Sequence, residues 1–257
     1  MKRSVTYAHA LLRVAAVVGI TLTVAISSVP AARAVTESPS RTEIVRIQQT
    51  LQHLGLYRGQ IDGSHNKATA DAIMAFHKVV SADRTSEWTH EDWQNVRALA
   101  AVGYDIPERP DEPDRIEVDL YRQVMYLVEG GDVAGIFPIV SGRGDTYERL
   151  GRRTGGAHTP VGDYTLIRHV AGWRYGSYGP IYRPWYFIGG YAIHGSKVAR
   201  PQPASNGCVR IPMQDIDWLE GRLELGMPVH VWVGRPSSAV AAFHLEHLAA
   251  SLQYDIV

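Results

Sequence analysis

Two residues of this chain can do covalent chemistry together: His194 in "YAIHGSKVARP" and Cys208 in "ASNGCVR", the single cysteine among 257 residues. A protonated thiol is a weak nucleophile, since its ordinary pKa of about 8.5 leaves only a few per cent thiolate at neutral pH. A neighbouring imidazole can take that proton and hold a thiolate–imidazolium pair, one route to acyl transfer through a covalent intermediate. His194 closes an apolar run, and thirteen residues rich in proline and small side chains separate it from Cys208. That excursion is long enough to return the chain beside its starting strand, so the thiol and the imidazole can face each other. Residues two apart on a strand share a face, which puts Arg210 on the side of Cys208 while Val209 and Ile211 point to the core. Arg210 then offers positive charge and a fork suited to a carboxylate. Gly207 lets a substrate approach the backbone closely, and the N–H groups of Asn206, Gly207 and Cys208 are candidate oxyanion donors.

The elements that must position this pair are strands. From Arg115 the apolar period becomes two, in "IEVDLYRQVMYLVEGG", and further strands are predicted in "VAGIFPIVSG", "GDYTLIRHV", "YFIGGYAIHG", "CVRIP" and "PVHVWVG". One helix is predicted over Met213 to Leu225, between Pro212 at its start and Gly226 after its end. Residues 115–234 therefore read as a mostly β domain, a mixed sandwich or barrel-like core.

Residues 41–102 have a different pattern. Ile44, Ile47, Leu51 and Leu54 recur at helical spacing before Gly55, the spacing resumes in "NKATADAIMAFHKVV", and a third helix is predicted over Thr89 to Ala101 with Thr89 as its cap. Residues 103–114 contain "YDIPERPDEPD", whose prolines and acids predict an extended, semi-rigid linker. Residues 235–257 form a tail with one helical stretch, Val240, Phe243, His244, Leu248 and Leu252 lying near one face. The fold class expected is α+β, a small three-helix domain followed by the β domain.

The N-terminus carries Lys2, Arg3 and Arg13 ahead of the apolar run Val14 to Ile26, followed by "SSVPAARA". Thirteen residues at about 1.5 Å each fall short of the roughly 30 Å hydrocarbon core. Residues 1–34 therefore read as a secretory signal peptide cut after Ala34, which predicts an exported protein of the periplasm or cell wall with no membrane span after cleavage. Cleavage leaves 22 basic and 26 acidic residues, a balance with no electrostatic footprint for nucleic acid. An exported chain with one cysteine can form no internal disulfide, which leaves the thiol available for chemistry.

The arrangement "HGS…SNGCVR" resembles the catalytic signature of the L,D-transpeptidases, the YkuD-type domain, in which a histidine-glycine precedes an "S-H-G-C-x-R" box. The likeness extends to "IEVDLYRQVMYLVEGG" and to "TPVGDYTL" at Thr159 to Leu166. It implies that Cys208 is the acyl-accepting nucleophile and His194 its base, with Gly195 or Ser196 oriented towards the imidazole. Ser205, Gly207 and Arg210 match the box, Ser205 and Arg210 as substrate-binding residues, whereas Asn206 stands where histidine is commoner. The implied substrate is the tetrapeptide stem of peptidoglycan, cut between the L-centre of a diamino acid and D-Ala, and acylation by carbapenems is implied as well. "LQHLGLYRGQIDG" and "ATADAIMAF" resemble the bacterial peptidoglycan-binding module, with His77 where glutamine is usual and "SADRTSEWTH" in place of a second glycine turn.

The partners expected are thus stem peptides and glycan strands. Rival readings are a catalytically silent wall-binding protein and an L,D-carboxypeptidase that uses water as acceptor. An NlpC-like peptidase would place its cysteine before its histidine. A zinc amidase would need more than His244 and His247 in "HLEH", so no metal or other cofactor is expected. The arginines of "SGRGDTYERLGRRTGGAH", Arg143, Arg149, Arg152 and Arg153, are candidates for substrate carboxylates, and "GWRYGSYGPIYRPWYF" for a wall of the cleft.

Overall fold

The computed structural model describes residues 39–144, 146–149, 152–176 and 178–234. Its first elements are α1 (Arg41–His53), α2 (Lys67–Val79) and α3 (His90–Val102). Each helix starts where a side chain can satisfy free backbone donors. Ser40 Oγ accepts from the Glu43 N–H at 3.2 Å, and Asn66 Oδ1 accepts from the Thr69 N–H at 3.0 Å. At α3 the Thr89 N–H donates to Asp92 Oδ2 at 2.6 Å. Asp92 is also bonded to His77, whose Nε2 lies 3.0 Å from Asp92 Oδ1 while Nδ1 lies 3.0 Å from the Thr85 carbonyl. His77 thereby ties the divergent segment "SADRTSEWTH" to α2 and to the start of α3.

The strands are β1 (Arg115–Asp119), β2 (Val124–Glu129), β3 (Asp132–Pro138), β4 (Thr146–Arg149), β5 (Arg152–Gly156), β6 (Gly162–Thr165), β7 (Arg168–His169), β8 (Trp173–Gly176), β9 (Gly179–Ile188), β10 (Tyr191–Ser196), β11 (Val209–Pro212) and β12 (Pro228–Trp232), with α4 (Met213–Leu219) after β11. One sheet runs β3-β2-β1-β12-β6 and a second β11-β10-β9-β7, with β8 added to β9 and β4-β5 as a separate hairpin. Both main sheets are open, so no closed barrel forms. Their facing sides enclose a core in which Ile116, Met125, Leu127 and Phe137 meet Phe187, Ile193, Val209 and Ile211. α4 covers its end with Ile216 and Leu219. This helix is shorter than the sequence pattern predicts, because Gly221, at φ +84°, makes the turn that was expected of Gly226.

The other face of β2 and β3 is buried too. Val124, Tyr126 and Ile136 join a second cluster with Leu56, Tyr57, Ile73 and Phe76 of the helical unit. Gly55 meets this sheet directly, its carbonyl accepting from the Ile136 N–H at 2.9 Å. Arg58 lies 4.0 Å over the Phe137 ring and 4.7 Å from that of Trp218, and its guanidinium pairs with Asp215 of α4 at 3.4 Å. Alternation in β1 predicts an exposed polar face, yet Glu117 and Asp119 are 0% exposed. The proline-rich stretch after α3 lies along that face: Arg109 and Arg115 donate to Glu117, and Arg122 bridges Asp119 and Asp105.

Candidate active site

β10 and β11 run side by side in parallel, with His194 paired to Arg210 and Ile193 to Val209. The chain between them leaves the sheet and returns so that Cys208 stands immediately before β11. His194 and Cys208 line one open cleft together with Arg210, Asn206, Tyr178 and Tyr191. The His194 ring is 4% exposed. Its Nδ1 lies 3.0 Å from the carbonyl of Gly195. A carbonyl only accepts, so Nδ1 carries the proton and Nε2 keeps its lone pair. Of the two residues expected to orient the imidazole, Gly195 does so through its carbonyl. Ser196 does not: its hydroxyl faces the Val198 carbonyl at 3.2 Å. Gly195 also has no room for a side chain, as a Cβ there would stand 2.7 Å from Ile216 and 2.8 Å from Tyr182.

The turn that presents the thiol is held from behind. Ser205 Oγ donates to the Cys208 carbonyl at 2.6 Å and accepts the Gly207 N–H at 2.9 Å. Thr159 Oγ1 donates to the Gly207 carbonyl at 2.8 Å and accepts from the Gly142 N–H at 2.9 Å. Gly207 sits at φ +124°, and a Cβ there would come within 2.5 Å of the Tyr191 ring and 2.9 Å of the His158 carbonyl. Ser205 is 0% exposed, with its hydroxyl committed inside the turn, so it shapes the turn rather than reaching a ligand in the cleft. The Gly207 N–H is likewise committed, which removes one of three expected oxyanion donors. Thr159 was visible in sequence only as part of "TPVGDYTL"; its buried hydroxyl is what links that segment to the cysteine turn.

Burial dominates the electrostatics of the pair. It pushes the Cys208 thiol above the ordinary range, against a hydrogen bond from the Ala192 backbone and the charge of Arg210. It pushes His194 down to about 4, with the Gly195 hydrogen bond opposing and Arg210 adding to the effect. The resting pair is therefore a neutral thiol and a neutral imidazole, not the ion pair expected from the sequence. Desolvation penalises both charged forms, and one arginine close to both cannot reverse that. Alkylation of Cys208 by iodoacetamide is accordingly expected to climb with pH through an inflection above about 8.5, with no step near 6.5. His194→Ala should leave that inflection nearly in place. An inflection well below neutrality that disappears in His194→Ala would demonstrate the ion pair instead.

Residues 113–231 match the family model of the L,D-transpeptidase catalytic domain, YkuD. The crystal structure of an L,D-transpeptidase from Xylanimonas cellulosilytica is 32% identical, covering 76% of this chain and 96% of that one, with a TM-score of 0.68. The chain belongs to the L,D-transpeptidase (YkuD) family. Because the match with the Xylanimonas cellulosilytica protein covers 76% of this chain, it reaches beyond the β domain into the helices. An L,D-transpeptidase structure from Stackebrandtia nassauensis is 21% identical over 76% of this chain and 93% of that one, with a TM-score of 0.44. No curated protein matches.

In this L,D-transpeptidase the box position where histidine is commoner has been given to Asn206, and Arg143 Nη1 donates to its Oδ1 at 2.6 Å. Arg143 is thus the one arginine of its segment seen at the site; the side chains of Arg149, Arg152 and Arg153 lie outside the described residues, as do His244, His247 and the whole tail. Arg210 is fixed through its backbone, which exchanges hydrogen bonds of 2.9 and 3.1 Å with Val140. The aromatic run divides. Tyr178 and Ile181 line the cleft, whereas Trp185 and Phe187 belong to the core. Tyr191 was not singled out in sequence; it lines the cleft and closes the space beside Gly207.

Proposed function

We propose that this L,D-transpeptidase is an exported enzyme that cross-links or remodels peptidoglycan through a thioester on Cys208. The observation that carries the reading is a lone thiol sharing a cleft with an imidazole whose Nε2 is free to accept a proton. Cys208 Sγ attacks the carbonyl between the diamino acid and D-Ala of a tetrapeptide stem. As the S–C bond forms, Nε2 of His194 takes the thiol proton. The oxyanion is received by main-chain N–H groups of Asn206 and Cys208, that of Gly207 being committed to Ser205. Collapse breaks the C–N bond, and the imidazolium returns its proton to the departing D-Ala amine. An amine of a second stem then attacks the thioester, gives its proton to Nε2, and releases the thiol with a new amide bond. Arg210, beside the thiol, suits the carboxylate of the donor stem.

Incubation with a purified disaccharide-tetrapeptide muropeptide, followed by mass spectrometry, tests this. A cross-linked dimer accompanied by free D-Ala supports it; D-Ala with tripeptide and no dimer would make the protein an L,D-carboxypeptidase. Neither product would favour a silent wall-binding protein, a role towards which the resemblance of the helical unit points. By that resemblance the helical unit is proposed to bind glycan strands.

Asn206→His is expected to change kcat/KM by less than about tenfold, since main-chain donors remain and the charge-assisted hydrogen bond from Arg143 that is lost is exposed to solvent. Arg143 at the same position disfavours a second cation, so a histidine there should titrate below its usual 6.5 or so and add no inflection near neutrality. A gain far beyond tenfold, or a new inflection between pH 6 and 8, would show the asparagine to be a weakening substitution.

A further inference from the structure

The excursion between β10 and β11 carries the nucleophile, yet much of it has little to hold it. Its far end is anchored, because the N–H groups of Ala204 and Ser205 both donate to the Ser141 carbonyl, at 3.0 and 2.9 Å. Its near end is a local turn at Ser196 and Val198. The side chains of Val198, Arg200, Pro201 and Gln202 between them are exposed. Among the described residues, the hydrogen bonds that reach this middle stretch come from the helical unit. Lys78 of α2, 1% exposed, donates to the Arg200 carbonyl at 3.0 Å and to the Ile139 carbonyl at 2.8 Å. Arg84, on the segment after α2, donates to the Pro201 carbonyl at 3.0 Å and to the Tyr121 carbonyl at 2.8 Å.

We propose that Lys78 and Arg84 are positioning residues for the catalytic turn, clamping the carbonyls of Arg200 and Pro201 against the first sheet. Each side chain bridges one loop carbonyl to one carbonyl at the margin of the first sheet: Ile139 follows β3 and adjoins Val140, the backbone partner of Arg210, and Tyr121 lies in the β1–β2 turn. A buried ammonium is costly unless its donors are used, and two of those of Lys78 are spent on one loop carbonyl, that of Arg200, and its anchor, that of Ile139. The helical unit is thereby part of the catalytic apparatus, whatever it also binds. Loss of the clamp frees a largely exposed stretch to which no other hydrogen bond runs between Val198 and Ala204 among the described residues, and a displaced nucleophile costs rate more than affinity.

The inference rests on the transpeptidase reading only for its activity readout, so the test has a second arm. In the full mature chain, Lys78→Met is expected to raise amide hydrogen exchange at 198–207 while β1 and β2 keep their protection. Its kcat for muropeptide dimer formation should fall on the order of tenfold to a hundredfold with KM nearly unchanged. Lys78→Gln, which keeps N–H donors, should recover part of both losses. Arg84→Gln, at a half-exposed position, should show the same localised exchange to a smaller degree and decides the matter if Lys78→Met does not fold. Unchanged exchange in the loop, exchange raised evenly over the whole chain, or equal losses in the Met and Gln variants would overturn the clamp. If the parent makes no dimer while loop exchange responds as stated, the clamp stands and the proposed activity fails.

Discussion

Cys208→Ala is expected to abolish dimer formation, with a loss on the order of 10³-fold or more, because no covalent intermediate can form without the nucleophile. Cys208→Ser should be nearly as inactive, since an alcohol is far harder to deprotonate than a thiol and His194 is a weak base, its pKa held at about 4. Both variants should keep the fold. The side chain is half-buried at the edge of a cleft, forms no disulfide, and its sulfur is held only by a hydrogen bond from the Ala192 backbone and a long 3.9 Å contact to the Gly190 carbonyl among the described residues. Parent-like dimer yield from Cys208→Ala would remove the cysteine from the reaction.

The second large effect concerns stability and its pH dependence. Arg58→Met would leave Asp215 buried in the seam between the helical unit and α4 without its cation. Removing one partner of a buried pair costs about 3–5 kcal/mol when the other remains charged. Burial already raises the Asp215 carboxyl to about 7, against the pull of Arg58. A folded pKa above the unfolded value means that the native state binds the extra proton, so this group's contribution to stability is present at low pH and is lost as pH rises through about 7. Without Arg58 the folded pKa climbs further. The pH-dependent part of the destabilisation by Arg58→Met should therefore be absent at pH 5, where Asp215 is neutral, and reach no more than about 1.4 kcal/mol at pH 8, one pH unit above the parent's pKa of about 7. His194 acts in the opposite direction, with a folded pKa of about 4, but its contribution cancels when variant and parent are compared at each pH. Urea unfolding at the two pH values measures this. Adding Asp215→Asn should flatten the dependence, and an equal loss at both pH values would show that Arg58 acts by packing on Phe137 and Trp218 and by its hydrogen bonds to the Gly55 and Ile136 carbonyls, without the ion pair.

The sequence foretold the elements of the site better than its electrostatics. The spacing of His194, Cys208 and Arg210 predicts that the three face one another, and they do line one cleft, because strand alternation fixes which residues share a face. Protonation was misjudged because desolvation depends on what the rest of the fold lays over the pair. Ser205 and the Gly207 N–H looked available as ligand groups, and only the closed turn reveals that each satisfies the other. The seam between helices and sheet left a trace: Val124 to Val128 is apolar at every position, as a strand covered on both faces must be. The alternation of Glu117 and Asp119 in β1 pointed the other way. Buried acids paired with Arg115, Arg109 and Arg122 cannot be distinguished from solvated ones by period alone. Lys78 was similarly hidden, a lysine near the end of an amphipathic helix that would ordinarily reach solvent.

The proposed mechanism requires an acyl group carried by one sulfur. Brief incubation with a tetrapeptide muropeptide, acid quenching and peptide mapping by mass spectrometry would locate it. The expected result is a mass increase equal to the donor stem without its terminal D-Ala, confined to the peptide containing Cys208 and absent in His194→Ala at the same time point. Dimer accumulating with no adduct on Cys208, or with the adduct on another residue, would contradict the thioester mechanism.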